Sequence, residues 1–198
     1  MPLPDVTATR RPIHARNVFY QSFLRDDGLI DIEGSLVDRL AAHRNGDDGE
    51  ELVHHMLLRV TVEPSLKIVA LATALDHYPF PPCVEVNPAY QSLVGETIGP
   101  GWRELVRRHV GRTQGCTHLS ELFTGLATAA YLAVSLRPAI EGADVYEAWR
   151  HSGRKPYFLD GCHSWRLDGI EARRRYPEYA KPGAEEPAAA RQTTVDGP

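Results

Sequence analysis

Seven apolar residues, Leu119, Leu122, Phe123, Leu126, Ala129, Ala130 and Ala133, recur at spacings of three and four, and no other feature of the sequence restricts the fold as strongly. They lie within one stretch from Thr113 to Arg137, TQGCTHLSELFTGLATAAYLAVSLR. A helix with so wide a stripe must be buried, so the chain has to supply an opposing surface. Thr113, Gly115 and Thr117 can turn or cap the chain at its start, which places Cys116 and His118 in or beside the first turn. The unpaired amides of a helix start favour negative charge there, which makes the Cys and His a candidate site. A small buried Cys beside a satisfied His is the ordinary alternative.

Strands supply the opposing surface. NVFYQSFLRDDGLIDIEGSLVDRLA has aromatic and β-branched residues on both sides of Asp27-Gly28, a turn signal, and predicts a hairpin whose second strand runs from about Leu29 to Leu40. Gly34 is the expected bulge or bend in it. A polar loop follows over 42–50. Leu52–Val62 alternates, with His54, Met56, Leu58, Val60 and Val62 on one face and His55 and Arg59 on the other. Leu66–Leu75 pairs with it across the turn at Glu63-Pro64-Ser65. The predicted class is therefore α+β, an antiparallel sheet of about four strands covered on one face by helices.

The prolines of YPFPPCVEVN exclude a regular helix or a central strand over 78–87 and hold Cys83 in a constrained loop. Asn87-Pro88 opens a short helix ending at Gly95, 102–110 forms another, and the long helix ends near Arg137-Pro138. Residues 1–12 read as a flexible arm, 13–179 as a single domain and 180–198 as a disordered tail.

Composition narrows the function. Apolar residues at 42% and charged residues at 24% describe a soluble globular protein, and a net charge of −4 gives no footprint for nucleic acid. No run has the uninterrupted length of a membrane span, and no signal-peptide core is present, so a cytoplasmic location is expected. No phosphate-binding or dinucleotide motif occurs, and no nucleotide cofactor is expected. Three cysteines cannot all pair within one chain, so they read as free thiols or ligands.

Cys83, Cys116 and Cys162 fall one to a module, and His163 follows the last. Three thiolates and one imidazole would complete a tetrahedral shell for zinc or iron, although such isolated cysteines are more often small buried hydrophobes. His118 and His54 are the candidate bases, with Asp76 as an acid or as the group orienting a histidine and Arg59 as an anion holder. The plain reading of Arg59 is a cross-strand ion pair, and that of His54 a satisfied core histidine. Glu121, three residues after His118, could hold its second ring nitrogen. Among the acidic residues of the hairpin, Asp31 and Asp38 are the candidates to turn inward. Arg173, Arg174 and Arg175 read as a solvated, salt-bridged stripe.

The Arg25–Gly28 turn with DIEGSLVD, then HHMLLRVTV, Pro82-Cys83, GCTHLSEL and GCHSW together resemble the bacterial domain-of-unknown-function family numbered 2889, over about residues 12–178. That resemblance implies no reaction. The order of Cys83, Gly115-Cys116 and Cys162-His163 is also distantly similar to the NifU amino-terminal iron–sulfur scaffold and its SufE-like relatives. This similarity implies a small antiparallel sheet with helices and a cluster held by the three cysteines. In the scaffold the last motif places His before Cys, whereas here Cys162 precedes His163.

The expected function is a lyase or hydrolase acting on an aromatic or hydrophobic organic acid in a Cys/His pocket between sheet and helices, with or without a metal. Tyr78, Phe80, Trp102, His118, Phe123 and Trp165 are its expected lining. A zinc-binding or iron–sulfur scaffold and a noncatalytic binding module are the alternatives. The expected partner is a small-molecule substrate, without nucleic acid or membrane, and homo-oligomerisation stays open.

Overall fold

The structure, a computed structural model, describes residues 3–41 and 51–182. The polar segment 42–50 and all but the first three residues of the expected tail lie outside the described residues. Residues 3–13 form neither helix nor strand and are exposed. The chain divides into two compact units, Met1–Arg137 and Pro138–Pro198, where the sequence was read as one domain over 13–179.

The first unit is α+β. Four antiparallel strands, β1 (His14–Leu24), β2 (Ile30–Leu40), β3 (Glu51–Val62) and β4 (Ile68–His77), pair in sequence order. The alternation that predicted them also sets their faces: Ile30, Ile32, Leu36 and Asp38 of β2 and Met56, Leu58, Val60 and Val62 of β3 point inward. Gly34 turns out not to be a bulge. It sits in regular register between Tyr20 and Leu58, and a Cβ on it would lie 3.0 Å from the Tyr20 ring, so glycine makes room for the tyrosine. The irregularity of β2 against β3 falls at Asp38/Arg39 instead.

The proline-rich passage is a 3-10 helix over Pro81–Leu93, with Cys83 inside it. Proline is tolerated at the start, where the missing N–H has no partner to lose. This corrects the expected loop. α1 (Trp102–Val110) and α2 (Thr117–Ile140) follow, and α2 runs past Pro138. By length and composition α2 could cross a membrane. In this unit its predicted stripe is instead the core: Leu119, Leu122, Phe123, Leu126 and Ala130 have no exposure. Burying each of the larger four stabilises by about 1.5–3 kcal/mol.

Tyr20 of β1 crosses to α2 and donates its hydroxyl hydrogen to the Leu122 carbonyl at 2.8 Å. Gly125 lies one turn on, and a Cβ there would meet the Tyr20 hydroxyl at 2.5 Å. Gly125→Ala is therefore expected to lower stability by about 1–3 kcal/mol by pushing the ring off its carbonyl. The midpoint of urea unfolding measures it, and Tyr20→Phe in the same background, which removes the clashing hydroxyl, should recover part of the loss.

The second unit carries α3 (Val145–His151), capped by Asp144, and α4 (Ile170–Arg175). Leu159, Leu167, Ala172 and Tyr176 form its core, with Tyr146, Trp149, Phe158 and Trp165 packed against it. The arginine stripe is surface structure, as its composition suggested: Arg175 pairs with Glu171 and lies 4.0 Å over the Tyr146 ring, and Arg173 binds the Asp168 carbonyl.

Candidate functional site

Three strands place Arg16, Asp38 and His54 in one row across the sheet, since Arg16 lies opposite Asp38 on β1 and His54 opposite it on β3. Asp38 is 2% exposed. Its oxygens accept hydrogen bonds from Arg16 Nε and Nη2, both at 2.7 Å, and from the ring nitrogens His14 Nε2 and His54 Nδ1, both at 3.0 Å. The Arg16 guanidinium holds the carboxyl well below the usual carboxylate range, against the opposing effect of burial. A buried anion is thus fixed on the inner face of the sheet.

His118, in the first turn of α2, docks onto this row. Its ring lies 3.8 Å from that of His54, and its Nε2 is 3.6 Å from Asp38 Oδ2, an electrostatic contact longer than a hydrogen bond. Burial lowers its pKa, and the neighbouring His54 and Arg16 lower it further, so the ring is neutral at neutral pH. With a carboxylate facing Nε2, the favoured tautomer carries the proton there and leaves Nδ1 as a base. Nδ1 is 3.7 Å from Cys116 Sγ.

Cys116 is held by its backbone. The fully buried Tyr90 accepts from the Cys116 N–H at 3.0 Å and donates to the Cys116 carbonyl at 2.9 Å, and its hydroxyl is also 3.2 Å from Ser120 Oγ. The Cys116 carbonyl in turn receives the Ser120 N–H, the first bond of the helix ladder. Gly115 lets the chain pass close by, because a Cβ there would collide with the Val110 carbonyl. The thiol opens on a cavity of about 510 Å³ between α1 and α2, with Val106, Val110, Thr117 and Ser120 on its walls.

That position corrects the expected pocket between sheet and helices. Trp102 and Phe123, which were to line it, are 4% and 0% exposed and fill the space as core, with Trp102 Nε1 donating to the Phe123 carbonyl at 2.6 Å. Phe80 points to solvent at 67% exposure. Trp165 belongs to the core of the second unit.

Of the residues picked from sequence, His54 and His118 come together, and Cys116 joins them. Asp76 does not; it binds His55 Nδ1 at 2.9 Å, and His55 occupies the sheet face opposite to His54. Arg59 forms the cross-strand pair with Glu33 at 2.6 Å. Glu121 turns to Arg16 rather than to His118, whose second nitrogen faces Asp38. Cys83 is half-buried against the core of the first unit. In the second unit, Cys162 is exposed and His163 Nε2 lies 2.9 Å from Arg166 Nη1. Arg16, His14 and Tyr90 were missed. Arg16 was within reach, because a hairpin centred on Asp27 pairs positions that sum to 54, which is Arg16 with Asp38.

Among the described residues, one group of three potential metal ligands has its donor atoms within 4.8 Å of one another: Asp38, His54 and His118. It contains no thiol. The donor set fits a metal poorly, because both Asp38 oxygens already accept from Arg16 and the guanidinium stands where a cation would be repelled. The same atoms suit proton handling.

A family model described as "Protein of unknown function (DUF2889)" matches residues 14–132, more than half of the chain. The matched stretch contains Arg16, Asp38, His54, Tyr90, Cys116 and His118, whereas Cys162 and His163 lie beyond it. No curated protein and no solved structure matches the chain.

Proposed function

The chain belongs to the DUF2889 family, whose description names no activity, and from its own side chains we propose a thiol hydrolase that cleaves an ester or thioester of a small hydrophobic organic acid. The observation that carries the reading is the line Cys116 Sγ, His118 Nδ1, His118 Nε2, Asp38 Oδ2, with steps of 3.7 and 3.6 Å on either side of the imidazole. A nucleophile, a base and a group orienting the base are the three parts that acyl transfer by cysteine requires.

In this reading Cys116 gives its proton to His118 Nδ1 as Sγ adds to the acyl carbonyl carbon. The carbonyl re-forms, the bond to the alcohol or thiol breaks, and the leaving group takes the proton from His118. A thioester on Cys116 remains. Water then gives a proton to His118 Nδ1 and adds to the thioester carbonyl, and collapse returns that proton to sulfur and releases the acid. Asp38 holds the ring orientation and stabilises the transient imidazolium. His54, whose ring lies against His118 at 3.8 Å and a 34° tilt, disfavours its lasting protonation. A hydrolase is preferred to a lyase because the group in reach of the base is a thiol. The zinc or iron–sulfur scaffold on Cys83, Cys116 and Cys162 draws no support from the described ligand geometry.

The test is site-resolved thiol labelling at neutral pH. Iodoacetamide should label Cys116 about 10²-fold faster in the native protein than in His118→Gln, with Cys162 unchanged between the two. A nitrophenyl ester should leave one acyl group on Cys116. An acyl group found only elsewhere, equal labelling rates with and without His118, or stoichiometric zinc released by Cys116→Ala would overturn the reading.

A further inference from the structure

The walls of the Cys116 cavity carry more charge than a site for a neutral ester needs. Arg103 and Arg107 of α1 and Arg112 of the α1–α2 connection all line it. Arg107 is committed to Glu104, which accepts from its Nε and Nη2 at 2.7 and 2.6 Å. Arg103 and Arg112 have no ion-pair partner among the described residues. The single acid on the wall, Glu121, is neutralised by Arg16. Two arginines without an ion-pair partner among the described residues therefore line a cavity whose wall also carries the apolar Val106 and Val110. Arg112 is held in a left-handed backbone conformation, φ 56°, which a residue with a side chain adopts only when the surrounding chain imposes it. That connection is the one that delivers Cys116 to the cavity.

We infer that Arg103 and Arg112 bind a carboxylate carried by the substrate in addition to the acyl group that Cys116 attacks, so that the substrate class is the monoester or monothioester of a small dicarboxylic acid. Guanidinium suits a carboxylate because its planar N–H groups match the two oxygens. The cavity volume of about 510 Å³ is that of a small-ligand site. This inference rests on Cys116 as the nucleophile, and the experiment separates the two.

Cys116 is titrated with two aromatic disulfides, an anionic nitrobenzoate and a neutral dipyridyl, and the rate at each cysteine is read by mass spectrometry. In each reaction the Cys116 thiolate displaces one aryl thiolate from the disulfide. The ratio of anionic to neutral rates at Cys116 should fall about tenfold in Arg103→Gln/Arg112→Gln, and should fall with added salt in the native protein. Arg108→Gln, which removes one positive charge from the exposed side of α1 outside the cavity, should leave the ratio unchanged, whereas Arg103→Gln and Arg112→Gln should each lower it. An unchanged ratio in the double variant, or an equal fall in Arg108→Gln, overturns the carboxylate site. If Cys116 reacts slowly with both reagents while the double variant still lowers the ratio, the anion site stands and the nucleophile reading fails. Succinate and inorganic phosphate, added as competitors, distinguish the sources: protection of Cys116 by succinate supports the inference, and protection by phosphate alone overturns its carboxylate assignment.

Discussion

Asp38→Asn is expected to lower folding stability by about 3 kcal/mol and to slow labelling of Cys116 by about 10²-fold. The stability loss follows from what surrounds the side chain. Asp38 receives four hydrogen bonds, two of them from Arg16, whose side chain is only 30% exposed. An amide accepts through one oxygen and presents its NH₂ to the guanidinium, so Arg16 loses its two-pronged anionic partner and keeps only Glu121, while the buried side chain at 38 is left with mismatched hydrogen bonds. The reactivity loss follows from the proposed role of His118: without an anion facing Nε2, the ring loses its preference for the tautomer that leaves Nδ1 open to Cys116. Asp31→Asn is the control, since Asp31 takes one hydroxyl hydrogen bond from Thr61 and a longer pair to Arg25, and it should cost under half as much.

The same residue sets the response to acid. Asp38 titrates below its ordinary value of 3.8 in the folded chain, so the unfolded chain takes up the proton first. Its contribution is complete above that value and drains away as pH falls toward the folded one. His118 titrates below its ordinary 6.5, so here too the unfolded chain binds the proton first, and stability starts to fall as pH drops through 6.5. Both slopes have one sign: stability rises with pH. Urea midpoints taken from about pH 7 down to about pH 3 should show two descending limbs, with the lower one shallower in Asp38→Asn, where Asp27 and Glu104 still contribute. A midpoint that rises on acidification would contradict both assignments.

Tyr90→Ala is expected to lower stability by about 3–5 kcal/mol. Tyr90 has no exposure, and its ring stacks on Phe123 at 5.0 Å and 15°. Tyr90→Phe keeps the ring and removes the hydroxyl, which leaves the Cys116 N–H without its acceptor and should cost about 1–3 kcal/mol. The two variants separate packing from clamping. Tyr90→Phe should also slow Cys116 labelling, because the backbone that holds Sγ toward His118 loses its anchor. Chemical denaturation and mass-resolved labelling measure the two effects, and unaltered labelling in a stable Tyr90→Phe would show that the tyrosine serves the core alone.

The sheet was legible from sequence because alternation and the Asp27-Gly28 turn are local signals, and α2 because its stripe spans several turns. Asp31 and Asp38 were both candidates to turn inward, and the alternation of β2 carries only Asp38 to the face of Ile30, Ile32 and Leu36. What the sequence hid were choices made between distant segments. Glu121 turns to Arg16, and the second nitrogen of His118 faces Asp38, which Arg16 also binds, so no single spacing in the sequence reveals the arrangement. Trp102 and Phe123 looked like pocket walls, since a large aromatic residue reads the same whether it lines a cavity or fills one. The proline-rich passage was read as loop because proline forbids α-helix in its interior, yet Pro81 and Pro82 sit at the first positions of a 3-10 helix that also carries Pro88 inside it. Tyr90 left no sequence signal, since its value lies in a hydroxyl meeting a backbone 26 residues away.

The Tyr20 hydroxyl reaches across 102 residues to the Leu122 carbonyl, and that span bears on the order in which the molecule assembles. Each strand of the sheet pairs with its successor through a short connection or a hairpin, so the meander closes small loops and can form early. Seating α2 on it closes one of the longest loops in the unit. By loop closure alone, Asp38, Arg16 and His54 are expected to align early, and His118 and Cys116 to arrive with α2. A chain stalled before that step would have its polar row on an uncovered sheet face and would lack the contacts that His118 makes with His54 and Asp38 once α2 is seated.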